Sequence, residues 1–232
     1  MPRTARLLPE EGVLHVLSRG NNRGLVFHGP EDFRTYLSFL GALKSDHPFS
    51  LYHFCLMNTH VHLLLEINSN THLSGFMKRL GLLYTHYYKQ KYRHTGHFWE
   101  NRYKSILVEK DAHLLECGRY IENNPLKANM VKDLKEWPWS SYPAYAFGRS
   151  NPLVELDPFY QDLGKTDLDR RKAYRAFVLA SQDQGEELFL RRRFFGSEEF
   201  VKRMEGRFGV ERLPKRRGRP RKNRGRSYFL IS

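Results

Sequence analysis

Two apolar segments, Phe49–Met57 and His60–Ile67, are separated by only two residues, Asn58 and Thr59. A link that short joins antiparallel neighbours, so the pair is expected to form a β-hairpin. Few other local patterns restrict a fold as much. The second strand opens with His60-Val61-His62. Side chains two apart in a strand share a face, which places His60 and His62 side by side, within reach of one metal ion or one phosphate. Taken alone, a His-x-His pair more often fills a polar core or surface position than binds metal. The rest of the chain has to supply the other partners.

Before the hairpin, Val13 to Ser18 reads as a strand closed by the turn-prone Arg19-Gly20-Asn21-Asn22. Pro30 can open a helix in which Phe33, Leu37, Leu40 and Leu43 recur at helical spacing, and Asp46-His47-Pro48 ends it. After the hairpin comes an amphipathic helix with Leu73, Phe76, Met77, Leu80, Leu83, Tyr84 and Tyr87 as its apolar stripe. Tyr103 to Glu109 reads as a fourth strand. The order β-α-β-β-α-β predicts an α+β, ferredoxin-like fold: an antiparallel sheet with helices on one face and the other face open to a nucleic acid.

Asp111 is a suitable N-cap for a further helix ending at Asn123 or Asn124, before Pro125. Leu114, Cys117, Gly118 and Ile121 form its packing stripe. His113, Glu116, Tyr120 and Asn124 lie on the adjacent one, so Tyr120 and Asn124 are one turn apart. Beyond Trp137 to Tyr142, short helices are expected around Leu168, Tyr174 and Phe177 and from Ser197 through Phe200, Val201, Met204 and Phe208. The expected organisation is a domain over 1–145, a mostly helical extension over 146–212, and a basic tail over 213–232.

The chain carries a formal charge of +14, and Lys215, Arg216, Arg217, Arg219, Arg221, Lys222, Arg224 and Arg226 supply more than half of it in one acid-free run. That distribution points to a polyanionic partner. Cys55 and Cys117 stand far apart in core segments, which excludes a disulfide framework and a Cys-based zinc motif. No apolar run is long enough to span a membrane and no signal h-region opens the sequence, so the expected location is a reducing, cytoplasmic one.

Two imidazoles and the carboxamide oxygen of Asn124 form a three-ligand set suited to Mn²⁺ or Mg²⁺, with open positions for water and a phosphate oxygen. A phenol can attack phosphorus and store a phosphodiester as a covalent ester, provided the metal stabilises the developing charge. Glu116, Lys104 or a bound water are candidates for the proton transfer.

These residues carry a resemblance. His60-Val61-His62 has the His-hydrophobic-His form of the HUH single-tyrosine nucleases, and the chain resembles the REP-associated tyrosine transposases of bacteria. The matching pieces are Leu14-His15-Val16, Ser18-Arg19-Gly20-Asn21-Asn22-Arg23, Met57 with His60-Val61-His62-Leu63-Leu64, Gly96-His97-Phe98-Trp99, Arg102-Tyr103-Lys104-Ser105, Tyr120-Ile121-Glu122-Asn123-Asn124-Pro125 and Trp137 to Tyr142. They span roughly the first two-thirds of the chain. The resemblance implies cleavage of single-stranded DNA at palindromic hairpins through a 5′-phosphotyrosine. It makes Tyr120 the nucleophile and His60, His62 and Asn124 the ligands of a divalent ion. One departure is Asn58-Thr59, where the family often has Pro-Asn; this alters the hairpin leading to the site but not the ligand types.

Arg19, Arg23, Lys78, Arg79, Arg102 and Lys104 are candidates for phosphate contacts. In the tail, Arg217, Arg219 and Arg221 belong to a segment resembling an AT-hook, which would seat arginines in an A·T-rich minor groove or act as an electrostatic anchor. The expected partner is single-stranded or hairpin DNA with REP-like palindromes. A monomer is expected over a homodimer, because the extension could cover the dimerisation surface. The alternatives are a replication-initiator-type nickase and a hairpin-binding protein without cleavage.

Overall fold

The structure, a computed structural model, describes residues 9–180 and 193–210. The first six elements follow the expected order: β1 (Gly12–Arg19), α1 (Pro30–Lys44), β2 (Phe49–Met57), β3 (His60–Ile67), α2 (Leu73–Tyr92) and β4 (Lys104–Val108). They build the antiparallel order β2-β3-β1-β4 of a ferredoxin-like sheet. A two-residue strand, β5 (Phe194–Phe195), adds parallel to the outside of β4. On the opposite edge, Ser140 bridges to Cys55 while the Leu56 amide donates to the Trp139 carbonyl at 2.9 Å. Part of the outer backbone of β2 and of β4 is thus paired, which shortens the exposed edges that invite aggregation.

One face of the sheet, including Leu14, Val16, Phe54, Leu56, Leu63 and Leu65, packs against α1 and α2. These two helices are joined by a single carboxylate. Asp32, in the first turn of α1, accepts the backbone amides of His28 and Gly29 at 2.7 and 3.2 Å, and also the Tyr87 and Tyr92 hydroxyls and the Lys91 ammonium of α2. Burial alone would raise its pKa; the Lys91, His28, Tyr87 and Tyr92 donors outweigh that and hold the group down to about 2.

The second face is not open, contrary to the sequence expectation. A further helix, α3 (Ala112–Glu122), lies on it, and Leu114, Cys117, Tyr120 and Ile121 pack against Val13, Cys55, Met57, Leu64, Ile106 and Val108. The cause is legible in the strands: a half-solvated strand alternates apolar and polar residues, whereas β2 and β3 are nearly continuous apolar runs that need cover on both sides. Asp111 caps α3 as expected, accepting the His113 amide.

After α3 come the one-turn α4 (Asn124–Lys127), then α5 (Tyr142–Phe147), α6 (Asp167–Leu179) and α7 (Glu198–Arg207). Helix α6 begins with a Thr166/Asp169 capping box and α7 with Ser197, as its position in the sequence suggests. Leu168 is 74% exposed and so contributes nothing to the core, whereas Tyr174 and Val178 are buried beside Tyr145, Tyr160 and Leu115. Among the described residues, no helix is long and apolar enough to cross a membrane.

Candidate active site

The register of β1 against β3 determines which side chains meet. Arg19 stands opposite His60, Leu17 opposite His62 and His15 opposite Leu64. All of these project to the face that α3 covers. The result is a group of four rings: His60 and His62 with centroids 4.9 Å apart, His15 and His62 stacked at 5.1 Å, and Tyr120 edge-on to both His15 and His62 at 6.0 Å. The sequence-derived histidine pair and Tyr120 do converge. His15 is a member of the group that spacing alone does not reveal, because it enters from another strand.

Each histidine of the pair has one ring nitrogen tied. Nδ1 of His62 is 2.8 Å from Nε2 of His15, and Nδ1 of His60 is 2.9 Å from Oγ1 of Thr59. The other nitrogen of each, Nε2, is buried and has no hydrogen-bond partner among the described residues. A metal-binding histidine shows this pattern: one nitrogen oriented by a neighbour, the other left as a lone pair. Burial pushes His15 down to about 3, with the His60 charge adding to it; burial and Arg19 push His60 down to about 4. His62 is driven well below the usual histidine range by burial, then by His60, His15 and Arg19. Both rings of the pair are therefore neutral near pH 7, the state in which nitrogen can ligate. The Asn58-Thr59 turn that departs from the family pattern thus contributes the hydroxyl that orients His60.

Asn124 lies one turn after Tyr120 and is buried. Its Nδ2 donates to the carbonyls of Tyr120 and Ile121 at 2.9 and 3.0 Å, satisfying the end of α3 and leaving Oδ1 as the acceptor of that side chain. Tyr120 is 5% exposed with a buried hydroxyl oxygen, and the Lys127 ammonium lies 5.8 Å above its ring. A second group with metal-ligand geometry, Glu109, Asp111 and His113, lies at the start of α3. There, Asp111 caps the helix and Glu109 accepts the Ser197 amide at 2.6 Å, so both carboxylates have structural work.

The end of α3 is held by a buried polar network that the sequence does not announce. Glu122, fully buried, accepts from His53 Nδ1 at 3.0 Å, from the Ser141 hydroxyl at 2.5 Å and from the Tyr174 hydroxyl at 2.7 Å. On its other side His53 faces Asp157 at 3.6 Å, and its ring stacks on Tyr145 at 4.4 Å. Burial would lower the His53 pKa, but Asp157 and Glu122 overcome this and raise it to about 9. Gly118 lets α3 press this close: a Cβ there would sit 2.5 Å from His53 Nε2. Asn123 adds a bond of 2.7 Å to the Val178 carbonyl of α6.

Of the proposed phosphate contacts, Arg19 is beside the histidine pair, and Lys104 flanks it two strands away, opposite Leu17. Arg23 follows in a short turn with left-handed backbone, φ 56°. Lys78, Arg79 and Arg102 belong to the opposite side, on α2 and the segment before β4, and Arg79 pairs with Asp46 at 3.6 Å. Arg217, Arg219 and Arg221 lie outside the described residues.

If His15 orients His62 for a metal, replacing it with alanine is expected to weaken Mn²⁺ binding about 10- to 100-fold. Titration calorimetry on the folded variant would check this; an unchanged affinity would show that His15 is only packing.

Comparison with known proteins points to the transposases. Residues 11–124 match the family described as transposase IS200-like. A Haemophilus influenzae protein named for the REP-associated tyrosine transposases is 29% identical over 109 residues, 41% of this chain and 60% of that protein. The chain therefore spans less than two-thirds of that relative's length. The solved structure of a REP-associated tyrosine transposase bound to a REP hairpin superposes with a TM-score of 0.55 at 18% identity, covering 68% of this chain and 90% of that one. The likeness is one of fold. Residues 11–124, which contain both histidines, Tyr120 and Asn124, are the stretch that is similar to the IS200-like transposases.

Proposed function

We propose that this chain is a metal-dependent, single-tyrosine DNA transesterase acting on single-stranded hairpin DNA. One observation carries the proposal: two buried Nε2 atoms with no hydrogen-bond partner among the described residues, each on an oriented histidine, lie in the ring cluster that includes Tyr120. The hairpin DNA named for the solved relative supports the substrate class. His60 Nε2, His62 Nε2 and Asn124 Oδ1 would hold a Mg²⁺ or Mn²⁺ ion. When bound, the ion polarises the phosphoryl oxygen and stabilises charge in the transition state.

The chain's own residues supply the rest. Arg19, which stands opposite His60, would bind a non-bridging oxygen of the scissile phosphate. The Tyr120 oxygen attacks phosphorus, forming the phosphotyrosine bond as the bond to the 3′-oxygen breaks; that oxygen leaves as a 3′-hydroxyl. The reverse attack by a 3′-hydroxyl rejoins DNA and frees the phenol. The histidines and the tyrosine come from one chain, which supports action as a monomer.

The test is incubation with labelled single-stranded hairpin DNA and Mn²⁺, followed by a denaturing gel. A covalent protein–DNA adduct that is lost with chelator and in His60→Ala/His62→Ala is the expected result. No adduct with any divalent ion would favour a binding-only protein.

A further inference from the structure

On the face of the sheet away from the histidines, a cavity of about 390 Å³ opens between α2 and the segment before β4. Its apolar lining includes Trp99, Tyr36 and Met77, and its rim carries Lys78, Arg102 and Asn101. The Trp99 indole is fixed in place by a 3.2 Å bond from Nε1 to the Gly81 carbonyl. At the mouth, Leu82 is 61% exposed, a large apolar side chain left in water. We propose that this cavity binds one unpaired nucleobase of the DNA strand, a role that rests on the transesterase reading and extends it.

Three features select that occupant. An anchored aromatic side chain in the wall suits stacking, which any base can use. Two cations at the rim suit the phosphates on either side of an extruded nucleotide, and the Asn101 amide and the Ser18 hydroxyl offer hydrogen bonds to a base edge. The Thr85 hydroxyl, which donates to the Gly81 carbonyl at 2.6 Å, keeps only its acceptor side, and Ser74 is bonded to the Tyr103 hydroxyl at 3.2 Å. Position is the third. Ser18 lines the cavity, whereas the next residue, Arg19, projects to the histidine face. The Trp99 segment is tied to this same end of β1 by the Gly20–Trp99 bridge, by the Asn21 amide on the Phe98 carbonyl at 2.8 Å and by the Glu100 amide on the Arg19 carbonyl at 2.9 Å. A strand with one phosphate beside Arg19 can therefore turn around the end of β1 and place a nearby base in the cavity. This also gives Lys78 and Arg102, remote from the histidines, a reason to contact DNA.

The test uses the full chain in chelator, so that no chemistry takes place. Hairpin DNA with an unpaired oligo-dT flank carries 2-aminopurine at one flank position at a time, and a matching set carries an abasic site. At one position, 2-aminopurine fluorescence is expected to be quenched on binding, and the abasic site to weaken binding about ten- to a hundredfold. Gly81→Leu, whose side chain would fill the space beside Trp99, is expected to abolish both effects. Leu82→Glu, at an exposed position that puts no strain on the fold, is expected to do the same by repelling the phosphate. A flat response across the flank overturns the proposal, as does a position-specific response that survives both variants. A specific response without any covalent adduct under Mn²⁺ would overturn the transesterase alone, and an adduct with a flat response the base cavity alone.

Discussion

Glu122→Ala is expected to lower the stability of the protein by about 3–5 kcal/mol, the range for removing one partner of a buried ion pair. The substitution leaves the His53 imidazolium with only Asp157 at 3.6 Å, and deprives the Ser141 and Tyr174 hydroxyls of their acceptor. For a domain of this size the melting temperature should fall by roughly 6–20 °C. The wild type should also show a pH signature. His53 has a folded pKa raised to about 9, above its unfolded value, so its contribution is fully present below about pH 6.5 and is lost as pH rises through about 9. Thermal melts between pH 6 and 10 should therefore decline for the wild type and flatten for the variant. A variant with wild-type stability, or parallel pH profiles, would mean that the network contributes little.

This network has consequences for the site, because Glu122 is two residues after Tyr120 and two before Asn124. The extension reaches α3 there through Tyr174 and Val178 of α6. A loosened end of α3 would move the proposed nucleophile and the third proposed ligand together.

Tyr120→Phe is expected to remove adduct formation to below about a thousandth of the wild-type level, since no other residue replaces a lost nucleophile without large cost. The phenyl ring preserves the edge-on contacts to His15 and His62 and the burial against the sheet. Folding and hairpin binding should therefore be retained, which separates chemistry from structure. An adduct of undiminished yield from the phenylalanine variant would assign the attack to a different residue.

Much of the fold was legible in the sequence because its signals are local. The two-residue link implied the hairpin, the apolar spacing gave α1 and α2, and Asp111 marked the start of α3. The histidine pair and Tyr120 could be nominated because each lies in a short, chemically distinctive stretch. What stayed hidden depends on register between distant segments. His15 faces His62 only because β1 aligns Leu17 with His62. The His53–Glu122–Asp157 group draws on three elements more than 30 residues apart, and no spacing rule connects them. The covered second face was foreshadowed by the unbroken apolar runs of β2 and β3, a signal that the β-α-β-β-α-β pattern outweighed.

The most direct measurement of the central claim is mass spectrometry of the DNA-linked protein after protease digestion. The expected result is a nucleotide phosphate carried by the peptide that contains Tyr120, formed only with a divalent ion. A phosphate attached to any other residue, or DNA cleaved with no protein attached, would contradict it.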